Sequence, residues 1–480
     1  MRDGYRVADG GLGNTLSTPA ARRFTRSALA GGRPVNSDGR LRRWLADQYR
    51  TSVCEVERVE FEELDQWGFH PESGNLRHRS GGFFSVGGLS VRTDFDGLGN
   101  WQQPIIHQPE TGLLGMVVKE FDGTLHCLVQ AKSEPGNING PQLSPTVQAT
   151  RSNYTRVHGG NPTPYLDLFT GPGRAEILVD VLQSEQGSWF YRKRNRNMVV
   201  EVTGDLPVHE GFCWMSLAQL RTLLAEPDLV NMDTRSVLSC IPFTDPLRLG
   251  APAHPGSFEE ALRRSLDADD SIARHRSTEI VSGINDAKTR YVLDVRRTSL
   301  ATLTGWRRNA DEIVHEEGRH FRIIAVLVRA GGREVNRWSQ PLLAPVGIGL
   351  IAFLTRRVGG VLHVLVRTTV EPGYLDTVEL GPTVLVQDPR AETGRVPYVR
   401  EVLDAPRRRI RYDVIQSEEG GRFHHARNRY VVVEMDAEDE KEPPPDFRWV
   451  TLGQLIRLQQ HSHYLNVQAR TLISCLHSLW

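Results

Sequence analysis

A chain of 480 residues, 39% hydrophobic and 24% charged, is a globular protein long enough for two ordinary domains. Its formal net charge of zero excludes broad attraction to nucleic acid or anionic membranes, and no apolar run reaches the ~18 residues needed to span a bilayer. Five scattered cysteines without a CxxC pair, and no secretory signal core, predict a reducing, cytoplasmic setting without disulfides or structural zinc.

In chain order, residues 1–36 are rich in Gly, Ala, Arg and Ser and read as a mobile N-terminal tail. GLLGMVVKEFDGTLHCLVQ (112–130) reads as two strands joined at Asp122-Gly123, a hairpin pattern. AKSEPGN (131–137) then turns at Pro135-Gly136. QSEQGSWFYRKRNR (183–196) leads into the strand-like MVVEV, and in WMSLAQL (214–220) Ser216 is placed to cap a helix. Residues 246–274 open Pro/Gly-rich and become a charged helical pattern, a linker.

The same elements then recur. GLIAFLTRRVGGVLHVLVR (349–367) repeats the hairpin with Gly359-Gly360 at its turn, QSEEGGRFHHARNR (416–429) repeats QSEQGSWFYRKRNR, and WVTLGQL (449–455) repeats WMSLAQL with Thr451 as the cap. Trp101-Gln-Gln-Pro104 matches Trp338-Ser-Gln-Pro341, and Asn231, Arg235, Ser239 and Cys240 match Asn466, Arg470, Ser474 and Cys475. The order is kept throughout, which predicts one α+β domain duplicated in tandem, residues 40–245 and 275–480.

The runs LHCLVQAKSEPGNINGPQLSPTV, LQSEQGSWFYRKRNRNMVVEV and QSEEGGRFHHARNRYVVVE closely resemble the nucleotide-hexose 2,3-dehydratase family, over about residues 40–480. The resemblance implies a doubled Nudix-like fold acting on a dTDP-4-keto-6-deoxyhexose without a cofactor. The Nudix hydrolase box GX5EX7REUXEEXGU is absent from both halves, which opposes a nucleotide-sugar hydrolase. A non-catalytic nucleotide-sugar-binding protein is the other alternative. In the implied reaction a base removes the C3 proton, which the C4 ketone acidifies. A donor or cation holds the enolate, and an acid helps the C2 hydroxyl to leave. The diketo product is labile, so a downstream 3-ketoreductase is an expected partner, and a homodimer is the expected assembly.

Candidate catalytic residues are Lys132, Glu134, Tyr154 and Glu185. Candidate substrate-binding residues are Trp101, Asn137, Asn139, Arg151, Asn153, Trp189, Tyr191, Lys193, Arg194 and Asn195. A second, vestigial pocket is expected around Trp338, Glu371, Glu418, His424, Arg427 and Asn428, because Thr369 and Ala426 replace Lys132 and Lys193 there. Several alternatives stay open. Glu134 can cap its turn. The Arg-Asn-Arg motifs can fork onto a diphosphate or pair internally with Glu185 and Glu418. Trp189 and Tyr191 can stack on thymine or pack in a core, and Tyr154 can be an acid or a buried hydrogen-bonded tyrosine. His424 and His425 are expected to point to opposite faces of a strand, and His126 and His363 to be core histidines.

Overall fold

The computed structural model describes residues 18–29, 34–52, 54–150, 162–171, 173–251, 254–331, 336–436 and 442–480. It is mixed α+β, with two seven-stranded and two five-stranded sheets. In the first repeat the hairpin strands Gly112–Phe121 and Thr124–Lys132 are the centre of a seven-stranded sheet. Arg194–Glu201 joins Gly112–Phe121 in parallel, Glu176–Ser184 flanks it, and Phe212–Ser216 adds to the other side. In the second repeat Gly349–Val358, Val361–Thr369, Arg427–Glu434, Ile410–Ser417 and Phe447–Thr451 take the same places, again with one parallel pairing.

Local chemistry explains the elements. Asp122 (φ 47°) and Gly123 (φ 77°) are both left-handed, as a two-residue type I′ hairpin requires. Gly359 (φ 57°) and Gly360 (φ 78°) meet the same need. Ser216 accepts from the Gln219 amide and Thr451 from the Gln454 amide, and both glutamines reach back to complete capping boxes. The central strands are covered on both faces, so Leu113–Val118 and Leu350–Thr355 are continuously buried.

The mobile tail expected through residue 36 needs correction where it is described. Pro19–Ala28 is a helix capped by Thr18, with Phe24 fully buried, and Ser27 Oγ donates to the Leu125 carbonyl at 2.5 Å. Alternating Arg and apolar residues hid this amphipathic helix from composition alone. Its counterpart, Phe258–Ser265, lies in the expected linker, and Ser265 Oγ donates to Leu362 in the same way. His126 and His363 are buried and accept from the amides of Val35 and Arg274, which fits their core reading.

The repeats exchange strands. Cys54–Val59 lies at the start of the first repeat but pairs with Phe321–Ala330 of the second, Cys54 opposite Ala330. Leu293–Thr298, at the start of the second repeat, pairs with Ser85–Thr93 of the first. Each five-stranded sheet is therefore built from both halves. Helices Met232–Ser239 and Val467–His477 share one core cluster. Each sends a fully buried arginine across: Arg235 donates to the Ser417 carbonyl (2.6 Å) and Arg470 to the Ser184 carbonyl (2.5 Å). A buried guanidinium aimed at a backbone oxygen ties each QSE strand to the opposite repeat.

Candidate active site

The EPG turn of each repeat docks on the QSE loop of the other. The Gly136 amide donates to the Gly420 carbonyl (2.7 Å), and the His425 amide donates to the Gly136 carbonyl (2.9 Å). The counterparts are Gly373 to Gly187 and Arg192 to Gly373, both 2.7 Å. Two related clusters result, each composed from both halves, and they differ in the side chain that stands between the loops.

In the first cluster there is a cavity of about 240 Å³, lined by the EPG turn, His424, His425 and the exchanged strand. Lys132 ends its strand with Nζ 3.5 Å from Glu134 Oε1 and 3.3 Å from the Gln148 carbonyl. Gln148 Nε2 donates to Glu134 Oε1 at 3.0 Å. Gln148 is itself held by Ser144 Oγ, so the carboxylate is fixed from behind. Glu419 enters from the other repeat. A methyl on Gly421 would lie 3.1 Å from Glu419 Oε1 and 3.4 Å from Glu134 Oε1, so the two carboxylates flank one backbone position. Burial and the charge of Glu134 push the Glu419 carboxyl up, against the pull of Arg422, Lys193 and Lys132. Asp233, buried beside the same acids, is pushed well up. Burial lowers Lys193 to about 8, although Glu419 and Glu185 favour its charge.

The second cluster is filled. Tyr374 stands where the first repeat has Asn137, is 4% exposed, and its ring would lie 2.5 Å from a methyl on Gly187. Its hydroxyl is within 3.2 Å of Thr369 Oγ1 and 3.3 Å of Asn466 Nδ2. Glu371 accepts from the Gly187 amide (2.8 Å) and Ser188 Oγ (3.0 Å), and burial raises it from 4.5 to about 7. Its folded-state pKa lies above the unfolded one, so its contribution to stability is complete below pH 4.5 and is lost as pH rises through about 7. Glu371→Gln is therefore expected to gain melting temperature relative to the unaltered chain between about pH 5 and about pH 8. Parallel melting curves across that range would dismiss the idea.

The structure regroups the sequence candidates. Glu134 and His424, expected in different pockets, line one cavity, because each pocket takes one loop from each repeat. Trp189 and Tyr191, expected beside Lys132, lie on the loop that meets Glu371. Trp189 is 9% exposed and packs edge-on to Phe423 at 4.6 Å, a core contact between repeats. Tyr191 is half-buried with Arg192 and Arg297 over its ring. Glu185 accepts from Asn195 (2.8 Å), and Glu418 from Asn428 (2.7 Å) and Tyr430 (2.7 Å), so these pairs hold the fold. Burial nonetheless raises Glu185 to about 7. Arg196 and Arg429 do pair internally, but with Asp180 and Asp413. Arg427 stands 3.6 Å from Asp228, and Arg194 opens its strand half-buried. Trp101 and Trp338 donate to Gln103 and Gln340, whose amides hold the Ser188 and Gly421 carbonyls, so the tryptophans act on the loops at one remove. Asn137 lines the cavity and Asn139 is exposed. Arg151, Asn153 and Tyr154 lie outside the described residues.

His424 and His425 do not diverge as strand neighbours would. They precede the strand that starts at Arg427, His425 is left-handed (φ 51°), and the rings stack at 3.9 Å. Burial, His425 and Arg58 lower His424 to about 4, so it is neutral at physiological pH. Sequence reasoning missed Glu419, although comparing the repeats carries the signal, since Glu419 answers to Gln186. It missed Gln148 because nothing in its strand pattern marks a carboxylate holder. Among the described residues, no three His, Cys, Asp or Glu side chains are grouped to hold a metal ion.

A family model described as NDP-hexose 2,3-dehydratase matches this chain twice, over residues 38–241 and 277–476. The protein named dTDP-4-dehydro-6-deoxy-alpha-D-glucopyranose 2,3-dehydratase from Saccharopolyspora spinosa is 48% identical over 472 residues, spanning 97% of this chain and 96% of its own. Proteins of the same name from Amycolatopsis orientalis and Streptomyces violaceoruber are each 46% identical, over 450 and 442 residues. Both matches cover 91% of this chain, with 90% and 96% of those proteins.

Proposed function

The chain belongs to the NDP-hexose 2,3-dehydratase family, and from that premise we propose that it removes water across C2 and C3 of a dTDP-4-keto-6-deoxyglucose. The observation that carries this reading is the meeting of Lys132 and Glu134 from one repeat with Glu419 from the other, beside a cavity that Glu134 lines. Glu134, fixed by Gln148, takes the C3 proton. Lys132 balances the charge that develops on the C4 oxygen. Glu419, which burial keeps protonated to higher pH, gives its proton to the C2 hydroxyl as the C2–O bond breaks and water leaves. The 3-enol then takes a proton at C2 and loses one from O3, giving the 3,4-diketone. Two carboxyls held in different environments divide the acid and base roles.

The test is incubation with the 4-keto-6-deoxy sugar nucleotide, a 3-ketoreductase and reduced nicotinamide to trap the labile product. Loss of one water in the mass spectrum is expected, and unchanged substrate overturns the reading. No electron leaves the substrate and Lys132 supplies the positive charge, so turnover is expected to survive exhaustive chelation without an added redox cofactor. Activity abolished by EDTA and restored by magnesium or zinc would reject this.

The filled second cluster supports a vestigial pocket there, so Glu371→Gln is expected to leave kcat within a few-fold of the unaltered chain. The shared strand order, with one parallel pair in each repeat, supports two Nudix-like domains over 40–245 and 275–480. The chain is proposed to act in the cytoplasm as a homodimer, in a deoxysugar pathway serving antibiotic biosynthesis. Light scattering at micromolar concentration would test the assembly.

A further inference from the structure

The strand Cys54–Val59, paired into a sheet of the other repeat, gives the catalytic cavity one of its walls. Hydrogen-bonded to Phe321–Ala330, it presents Cys54 and Val56 on one face, and both line the cavity. Pro135 and Ile138 continue the apolar lining, while Ser133, Glu134, Asn137, His424 and His425 supply its polar groups. At about 240 Å³ the space falls below the roughly 300–1,000 Å³ of sites that enclose a drug-sized ligand, so it suits the hexose and leaves the nucleotide outside.

The substrate in the reading proposed above has matching asymmetry. Its reacting edge, C2 to C4, is polar throughout. The ring carbon opposite C2 is C5, which carries the only apolar substituent of the sugar, a methyl group. With the reacting edge against Glu134, beside which Lys132 and Glu419 stand, that methyl points away from the acids.

We infer that Cys54 and Val56 of the exchanged strand form the seat of the C6 methyl group and select 6-deoxy over 6-hydroxy sugars. This rests on the dehydratase reading. A 6-hydroxyl seated against Val56 and Ile138 gives up hydrogen bonds to water that these two side chains do not replace. An apolar seat of this kind discriminates by about 10–200-fold. The thymine ring also carries a methyl, and the test separates the two.

kcat/KM is measured for the full chain with three substrates: dTDP-4-keto-6-deoxyglucose, its 6-hydroxy analogue, and the uridine counterpart of the first. The unaltered chain is expected to prefer the 6-deoxy sugar over its 6-hydroxy analogue by about 10–200-fold. Val56→Ser and Cys54→Ser are expected to bring that ratio to within a few-fold, with the thymidine-to-uridine ratio unchanged. An unaltered 6-deoxy preference overturns the inference, and so does a changed thymidine preference. If the unaltered chain turns over none of the three, the dehydratase reading itself has failed.

The native protein offers a second measurement that needs no variant to fold. Cys54 is half-buried while Cys127, Cys213, Cys240 and Cys475 are buried, so alkylation with iodoacetamide reports on Cys54. The 6-deoxy sugar nucleotide is expected to slow that alkylation at least tenfold and thymidine diphosphate alone to leave it unchanged. Equal protection by both overturns the proposed methyl seat.

Discussion

Glu134→Gln is expected to lower kcat by about 10²–10⁴, the usual contribution of a positioned general base, with the fold intact. The amide keeps the shape of the carboxylate and can still accept from Gln148 Nε2, now 3.0 Å away, but it cannot take a proton from carbon. Lys132→Met is expected to cost about 10²–10³, since a developing oxyanion loses its cation in a partly buried site. These two variants and Glu419→Gln separate the steps. In deuterium oxide the unaltered chain is expected to exchange the C3 hydrogen. Glu134→Gln is expected to lose exchange and elimination together, because the base is needed first. Glu419→Gln is expected to keep exchange and lose elimination, because it acts on the departing hydroxyl. If Glu134→Gln turns over within threefold of the unaltered chain, the base has been assigned to the wrong residue.

Much of the fold was legible because it is local. Asp122-Gly123 and Gly359-Gly360 announce hairpins through backbone conformations that few residues adopt, and Ser216 and Thr451 announce helices through amides needing acceptors. The duplication was legible because insertions between matched segments are few. The strand exchange was not. Two copies of one sequence present the same edges, so Cys54–Val59 fits either five-stranded sheet by its alternation, and only the path of the chain decides. That choice carried the site with it. Lys132 and Glu134 were readable as neighbours in a turn, but Glu419 was not, because its proximity to Glu134 exists only once the EPG turn crosses to the other repeat. Trp189 stayed ambiguous for a related reason: of its two readings, thymine stacking or core packing, the core contact exists only where the repeats meet.

Gly136→Ala is expected to be a severely destabilising single-methyl change. A methyl at Gly136 would sit 1.7 Å from the Phe423 carbonyl oxygen and 2.8 Å from that of Gly420, both backbone atoms of the opposite repeat. A side chain can rotate away from such a clash, but a backbone held in a loop cannot. The turn must lift, and it then gives up the hydrogen bonds from Gly136 to Gly420 and from His425 to Gly136. Loss of a paired buried backbone together with overpacking belongs at the severe end of single substitutions, about 3–5 kcal/mol. Gly373→Ala meets the Phe190 carbonyl at the same 1.7 Å and should cost a similar amount. Gly68→Ala, with nothing within 4 Å, is the control and should melt like the unaltered chain. Chemical denaturation of the three variants checks the ranking. Activity distinguishes the two severe ones. Lifting Gly136 moves Glu134 away from Glu419, so whatever folds of Gly136→Ala should be nearly inactive per folded molecule. Gly373 anchors the filled cluster, so folded Gly373→Ala should retain most of its kcat. Equal specific activities for the two folded populations would mean that docking of the EPG turn does not place the catalytic carboxylates.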